Sequence, residues 1–575
     1  MLKKTEKFCL IGRIIKFNFL KKKLYIRHAD KLESGSIFFN RLCYLGGDDL
    51  DNLHFIESNI TSREIESSLK YLNNSFNKYL PQLLKNFGLN DKYPLEFWKP
   101  ILYNYVFSCL ALIHKYELIF EEINSYNINF FTEAIRLDNI EIKVKNHLNY
   151  YLNSEIQFQI LSFILHHKKY SNINVKTINY KKEKENKVET KKKIKFKSQI
   201  LFWIYQFKIF RIITPYYGIS LIDSILIYFK LNNKNTIKAK FKQSKIKISD
   251  EKIIDWRLDL ISQMLPKNMG KNIKLFMDKF EKIKYKKGRV NLIQNSLWFD
   301  IKKLVYYNLA KFKGEIIVPS QHGGHAFYND IEFRKEFESN HNYFMIWGKK
   351  IVNPLPKNYI IVPSPLFSKI STYKKRSKGK IFYVGTSLPK FNPLYWGWFL
   401  NSNDTFKFRE SMSLLIDFFE TNEPENFYFR PYIGNSKQTH LDDTDFFKKK
   451  HKKLKIIQGK LHYKLTECKL LILDSPGTTL SIGIAMNIPT LLFFDSPDFF
   501  SINKNKSVFK LMYHLGILHF NLETFIEKYF KIKADPYSWW QIKEIQKFRE
   551  SFLKDYALAD KNWKKITINK INNLQ

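Results

Sequence analysis

Two loops of this sequence combine polar side chains with glycine, as ligand sites in α/β proteins often do. In "GEIIVPSQHGGHAFY" an apolar run ends at Gln321 and His322, and Gly323 and Gly324 follow. Glycine permits close approach of the backbone to a ligand, and an imidazole ordinarily titrates near neutral pH. His322 could therefore serve as a general base, or as a neutral hydrogen-bond donor to a phosphate or leaving group. An ordinary turn between a strand and a helix is the alternative.

The second loop lies in "LLILDSPGTTLSIGIAMNIPTLLFFD", where a predicted strand runs into a helix through Ser475, Gly477, Thr478 and Thr479. The hydroxyl groups can cap this helix. Its free N–H groups and its positive end can equally hold a phosphate. At this point a diphosphate site and plain N-capping stay equally open, because such caps are common.

Smaller signals lie at the ends of two other predicted strands. Gly385 and Thr386 follow "IFYV", so that a ligand can approach the backbone and meet a hydroxyl. Arg430 ends "FYFR", where its guanidinium could form paired hydrogen bonds with a phosphate. A surface salt bridge is an equally good interpretation of Arg430.

Metal binding is not predicted. His325 and His341 could contribute imidazole ligands, but no carboxylate stands nearby at a convincing ligand spacing. The four cysteines are far apart and form no CxxC pair, which argues against a zinc site or a disulfide framework and fits a reducing cytoplasm. The N-terminal residues contain no apolar run long enough for a signal peptide, so no export is expected.

The elements that must position these loops predict an α/β protein. Helical periodicity covers residues 61–123, and short apolar strands alternate with helices from about residue 314 onwards, as buried parallel sheets require. Two such series predict two facing Rossmann-like domains with a helical elaboration in the N-terminal half. We place the first domain at residues 1–355, with a Lys-rich linker or loop at about 171–197, the second at 356–530, and final helices that pack back across the cleft at 531–575.

The formal net charge of +42 favours no single partner. Lys, Asn, Ile, Phe and Tyr are abundant together, as an A+T-rich coding sequence produces whatever the function, and attraction to anionic substrates or an anionic leaflet is the alternative. No zinc-finger spacing or aromatic RNA-binding signature supports nucleic acid. Charged residues and a proline interrupt the apolar region 200–229, which predicts a soluble core rather than a membrane span.

These segments together resemble a family of bacterial surface-carbohydrate transferases with a GT-B-like architecture, over roughly two thirds of the chain. Similar pieces occur in the family's order. They are "GSIFFNRLCYL", "NHLNYYLNSEI", "NSLWFDIKKLVYYNLAKFKGEIIVPSQHGG", "FMIWG", the double threonine at Thr478 and Thr479, "NIPT" from Asn487, "LMYHLGILHF" and "DPYSWWQIKEIQKFRESFLKDYA".

The resemblance implies a cytoplasmic, metal-independent glycosyltransferase without a bound cofactor. Its co-substrate would be a nucleotide-activated sugar, and its acceptor a glycan or a lipid-linked glycan of the cell surface. The threonine loop, Arg430 and Gly385 would hold the donor diphosphate, and Gln321 and His322 would approach from the opposite domain. Separately, the Lys-rich segment "KKEKENKVETKKKIKFK" leaves peripheral contact with the anionic inner face of the membrane as an alternative to a solvated insertion.

The sequence departs from the family at two positions. His325 stands where the family has a further glycine, and Ile482 stands where it tends to have a glutamate that would contact the ribose of a donor. The missing acid at Ile482 makes a catalytically silent scaffold of polysaccharide assembly one alternative. A CDP-polyol (glycerophosphate-type) transferase is the other, because such enzymes share a GT-B core with a His-Gly loop and a Ser/Thr-rich phosphate site.

Overall fold

Parallel β-sheets covered by helices make up the protein. The computed structural model describes residues 22–25, 37–38, 54–55, 62–89, 93–125, 130–142, 154–179, 219–232, 254–294, 300–321, 323, 341–351, 355–373, 379–386, 402–431, 443–495 and 506–574. Within these residues the strands form three sheets, and within each sheet every pair of neighbouring strands is parallel. The α/β class predicted from the sequence is confirmed.

The first sheet has the order β3-β2-β1-β4-β5 and lies in the N-terminal third. Its strands are β1 (Lys22–Tyr25), β2 (Ile37–Phe38), β3 (His54–Phe55), β4 (Phe130–Ile135) and β5 (Ile173–Ile178). The helices of this region are α1 (Ser62–Phe87), α2 (Leu95–Asn124) and α3 (Ser154–His167). Most of α2 is buried, as its apolar periodicity predicts.

The prediction that residues 171–197 form a linker or loop is wrong for its first part, because β5 lies there and pairs with β4 over six residues. Of these six residues only Ile173 is buried, and four are exposed. An edge strand with so much surface facing water can carry lysine, so charge alone does not identify a loop.

The second sheet has the order β6-β7-β8-β9. Its strands are β6 (Val290–Gln294), β7 (Ile316–Ser320), β8 (Phe344–Ile346) and β9 (Tyr359–Ile361). Its helices are α4 (Leu221–Asn232), α5 (Trp256–Met264), α6 (Met269–Glu281), α7 (Ile301–Phe312) and α8 (Pro365–Ile370). The sheet continues past residue 355, where we placed the end of the first domain, and the extent of the domains stays a prediction.

Two hydrophobic clusters lie on opposite faces of this second sheet. Ile317 belongs to the cluster built around α1, α2 and α3, whereas its neighbours Ile316 and Val318 belong to the cluster that continues into the third sheet. Successive side chains of a strand point to opposite faces, so β7 must be apolar throughout. This explains the uninterrupted run "IIV" before the polar loop.

The third sheet has the order β11-β10-β12-β13-β14. Its strands are β10 (Lys380–Val384), β11 (Phe427–Arg430), β12 (Cys468–Leu473), β13 (Thr490–Phe493) and β14 (Leu518–His519). Its helices are α9 (Ser402–Asn422), α10 (Asp443–Lys450), α11 (Leu461–Lys464), α12 (Thr478–Ala485), α13 (Lys506–His514) and α14 (Leu522–Ile532). Two consecutive parallel sheets in the second half of the chain are the arrangement that a GT-B-like protein requires.

Three further helices end the described chain: α15 (Pro536–Trp540), α16 (Lys543–Tyr556) and α17 (Trp563–Asn572). They contact both the second and the third sheets. The Leu558 N–H donates to the carbonyl of Trp347 after β8, and the Arg549 side chain donates to the carbonyl of Ile484 in α12.

Candidate functional site

The candidate site on the third sheet lies at the carboxyl ends of three neighbouring strands. Val384, the last residue of β10, pairs with Arg430 of β11 on one side and with Leu473 of β12 on the other. Adjacent strands are about 4.8 Å apart, so the segments that follow these residues leave the sheet side by side. The structure therefore brings together the Gly385–Thr386 turn, the loop that begins at Asp474, and Arg430.

Asp474 joins two of these segments directly. Its carboxylate oxygens accept hydrogen bonds from the Thr386 backbone N–H at 2.8 and 3.0 Å, and one of them also accepts from the Tyr383 hydroxyl at 3.0 Å. The side chain is almost completely buried, with 1% of Asp474 exposed. A buried carboxylate is costly unless it is well hydrogen-bonded, so these bonds hold the two loops in one arrangement. The sequence analysis did not select Asp474 as a site residue.

Helix α12 begins at the loop that the sequence predicts for a diphosphate. Its N-cap is Gly477, which has no side chain to accept a hydrogen bond, so the expected N-cap hydroxyl is absent from that position. Ser475, Thr478 and Thr479 are partly exposed, and the first turn contains no acidic residue. Backbone N–H groups at such a helix end attract anions, which favours the phosphate interpretation over plain N-capping.

The opposite end of α12 is held by the C-terminal helices. Asn487 adopts a left-handed conformation with φ of 53°, and its side-chain oxygen accepts hydrogen bonds from Trp540 at 2.8 Å and Gln546 at 3.2 Å. Asparagine is one of the few residues that adopt this conformation readily at a helix end. The helix ends just before Asn487, and the "NIPT" and "WW" segments meet in a single contact.

Two residues proposed for phosphate binding also have structural roles. A Cβ atom added at Gly385 would lie 3.0 Å from the Phe429 ring and 3.3 Å from Met412, so a larger residue there would have to push these side chains aside. The Arg430 guanidinium is half-buried, which lowers its pKa, and it donates to the carbonyl of Ile457 at 2.8 Å. Its remaining N–H groups would have to make any phosphate contact.

On the second sheet, Gln321 lies at the carboxyl end of β7 and is 2% exposed. Its side-chain oxygen accepts from the Trp347 N–H at 3.0 Å, and its side-chain nitrogen donates to the Gly323 carbonyl at 2.9 Å. These bonds tie β7 to the end of β8 and favour a positioning role over contact with a substrate. Gly323 has the positive φ expected of it, 67°, whereas His322 and Gly324 lie outside the described residues.

A match to a family model covers nearly all of the chain. The model, described as LIC12162 family transferase, matches residues 47–571. The chain belongs to the LIC12162 transferase family. The transferase expectation from the resemblance is thereby confirmed in general terms. A comparison with curated proteins gives no match.

The fold of this LIC12162 family transferase has distant likenesses among solved structures. The S. aureus MnaA–UDP structure is 10% identical, with 77% of this chain and 97% of that chain covered and a TM-score of 0.33. A. baumannii MurG is 10% identical, with 52% and 77% covered and a TM-score of 0.30. The wall teichoic acid polymerase TagF with CDPG is 11% identical, with 52% and 84% covered and a TM-score of 0.30. These scores are too low to assign an activity.

One group of side chains in this family transferase has the types that bind metals. Asp417 and Glu420 of α9 lie with His451 so that one ligand atom of each falls within 4.8 Å of the others. His451 Nδ1 is 3.0 Å from Asp417 Oδ1, and its Nε2 is 2.9 Å from the Ser413 hydroxyl. Both ring nitrogens thus have partners within the chain. A hydrogen-bonded buried histidine explains the group without a metal.

Proposed function

We propose that this family transferase moves a sugar from a nucleotide-activated donor to a glycan, or a lipid-linked glycan, of the bacterial cell surface. The observation that supports it best is the meeting of three strand ends with the N-terminus of α12, which has no acid in its first turn. Sites outside the carboxyl ends of parallel strands, at a helix N-terminus, suit the diphosphate of a nucleotide. The reaction would take place in the cytoplasm.

In this proposal the threonine loop, formed by Ser475, Gly477, Thr478 and Thr479, holds the diphosphate. Backbone N–H groups stabilise the negative charge that grows on the leaving nucleoside diphosphate as the bond from the anomeric carbon to its oxygen breaks. No metal is then required for that charge. Arg430 adds a cationic donor at the neighbouring strand end, and Asp474 keeps the loops in place.

We propose that His322 activates the acceptor hydroxyl. As a general base it would remove the proton of the attacking acceptor hydroxyl while that oxygen bonds to the anomeric carbon. Changing His322 to Ala should then lower turnover by roughly 10²–10⁴-fold with little change in donor affinity, as measured by steady-state kinetics and calorimetry. Unchanged turnover would remove His322 from the chemistry.

The donor class is tested by isothermal titration calorimetry with UDP-, GDP- and dTDP-sugars beside CDP-glycerol and CDP-ribitol, each with and without EDTA. We expect a nucleotide sugar to bind, equally well with the chelator. Binding of only a CDP-polyol would replace sugar transfer with polyol-phosphate transfer. Ile482, which is 7% exposed and apolar where the family tends to have a glutamate, does not separate these two donor classes, because both carry a ribose; it supports only the scaffold alternative. A folded protein that binds none of these compounds would be a scaffold.

A further inference from the structure

Helix α4 is held firmly to the protein along one face. Ile227 and Leu231 are buried in the cluster that joins the second and third sheets. The Asn232 side chain accepts from the Val290 N–H at 3.0 Å and donates to the Val290 carbonyl at 3.3 Å, which fastens the helix to β6. Asp223 forms an ion pair with Lys564 of α17. Helix α4 is therefore a fixed element of the fold.

The other face of α4 presents large apolar side chains to water. Ile222, Leu226 and Phe229 are 70%, 51% and 50% exposed. Steps of four and three residues place side chains on one side of a helix, so the three form a continuous stripe. Single exposed apolar residues are ordinary on protein surfaces, but a stripe of three on one short helix indicates a surface that binds something.

The charges around this stripe are positive. Lys230 is exposed and directly follows Phe229, and Asp223 of the same helix is neutralised by Lys564. The sequence continues this trend on both sides of α4, with "KKEKENKVETKKKIKFK" at 181–197 and "KNTIKAKFKQSKIK" at 234–247. The one carboxylate described on α4 is already paired with a lysine.

We propose that the stripe of Ile222, Leu226 and Phe229, with the lysines around it, is the surface by which the protein lies on an anionic lipid bilayer. An apolar helix face that enters the boundary of the acyl chains, bordered by lysines that meet anionic headgroups, is how interfacial helices bind. Within the described residues, no helix has the length and apolarity to cross the bilayer. The inference deepens the proposed function, because a lipid-linked acceptor would be met at the bilayer surface.

The test is vesicle cosedimentation of the full chain with Ile222, Leu226 and Phe229 all changed to Gln. The three positions are at least half exposed, so the fold should persist, which circular dichroism checks. The matched control changes Leu275, Leu414 and Leu511 to Gln, since these leucines are 61%, 55% and 44% exposed on other helices. Vesicles of phosphatidylcholine with phosphatidylglycerol are compared with vesicles of phosphatidylcholine alone.

We expect the native protein and the control to bind the anionic vesicles, less strongly at high salt, and the α4 variant to bind at least about tenfold less, because three apolar side chains no longer leave water. Absence of binding by the native protein, or equal binding by the α4 variant, would overturn the proposal. If the native protein is a dimer and the α4 variant is a monomer with unchanged vesicle binding, the stripe binds a second copy of the chain. That result also overturns the proposal. Donor calorimetry on the α4 variant tests the proposed transfer separately, because it measures donor binding and not vesicle binding.

Discussion

At the scale of single residues, Asp474 is the side chain that connects the candidate site. It accepts hydrogen bonds from the Thr386 N–H and the Tyr383 hydroxyl, and it directly precedes Ser475, the first residue of the threonine loop. Charged acceptors in buried sites form stronger hydrogen bonds than neutral ones, and an unsatisfied partner is costly there. The fixed arrangement of the two loops should therefore depend on this one carboxylate.

Changing Asp474 to Asn should lower the free energy of unfolding by about 1–3 kcal/mol, because the amide nitrogen cannot accept the bonds that a carboxylate oxygen accepts. The milder Tyr383→Phe removes only one hydrogen bond and should cost about 1 kcal/mol. Urea denaturation measures both. A smaller loss for Asp474→Asn than for Tyr383→Phe would show that Asp474 does not organise the loops.

The sequence predicts that Ser475, Thr478 and Arg430 lie at the carboxyl ends of strands, where ligands of α/β proteins bind, and the structure places them there; their role in binding stays a prediction. It did not identify the partners of Asp474 or Gln321. Apart from the local bond of Gln321 to Gly323, those hydrogen bonds join segments that are distant in sequence, and only the folded sheet brings them within reach. Gln321 illustrates the consequence, since its amide bonds the backbone of Trp347 and Gly323.

At the scale of elements, helix α12 is fixed in place at both ends by neighbouring segments. Its N-terminus lies at the loops, while Asn487 beyond its C-terminus accepts from Trp540 and Gln546. Gly483 allows the helix to pack closely on β12 and β13, because an added Cβ would meet Leu471 at 2.7 Å and Thr490 at 2.9 Å. Contacts at one end of the helix thereby set the place of the other end.

Substitutions at Asn487 separate its backbone role from its side-chain role. Asn487→Gly keeps the left-handed conformation and removes the bonds to Trp540 and Gln546, so we expect a loss of about 1–2 kcal/mol in the free energy of unfolding. Asn487→Ala adds the strain of a positive φ and should lose about 1 kcal/mol more. Chemical denaturation of both variants gives the comparison. Equal stability of Asn487→Gly and the native protein would rule out a contribution from these bonds.

Strands in the second half of the chain could be predicted because β7, β8, β10, β12 and β13 are short and apolar on both faces. Strands β4, β5 and β6 were not predicted from their sequences, "FFTEAI", "INVKTI" and "VNLIQ". Polar and charged residues interrupt each of them. In β6, Asn291 is buried and donates to Glu315 at 2.9 Å, so a polar residue inside a sheet is satisfied by a partner that the local pattern cannot reveal.

At the scale of the whole molecule, the chain end ties the second sheet to the third. The segment after α16 lies against the end of β8, where Gly348 adjoins the backbone of Asp555 and the Ser364 N–H donates to the Leu558 carbonyl. These contacts join the C-terminal helices to the second sheet, and the expectation that the helices pack back across a cleft between two domains stays a prediction. How the domains divide the chain stays a prediction.

Replacing Gly348 with Ala tests this connection. Its Cβ would overlap the backbone carbonyl of Asp555, which cannot move aside as a flexible side chain can. We expect a loss of about 2–3 kcal/mol in stability and faster amide hydrogen exchange across residues 553–558. Because the Gly348 backbone has no positive φ, alanine adds no backbone strain there, and the loss measures the overlap alone. A loss below about 0.5 kcal/mol would mean that the contact at Gly348 is unimportant.

The central claim is that the N-terminus of α12 holds the donor diphosphate, and donor calorimetry on Thr479→Asp tests it most directly. A carboxylate in the first turn suits the helix dipole, so the free energy of unfolding should stay the same or rise by about 0.3–1 kcal/mol. Donor affinity should nevertheless fall at least about tenfold by repulsion of the diphosphate. Thr524→Asp places the same charge in the first turn of α14 and should leave affinity unchanged. Native affinity in Thr479→Asp would contradict the claim.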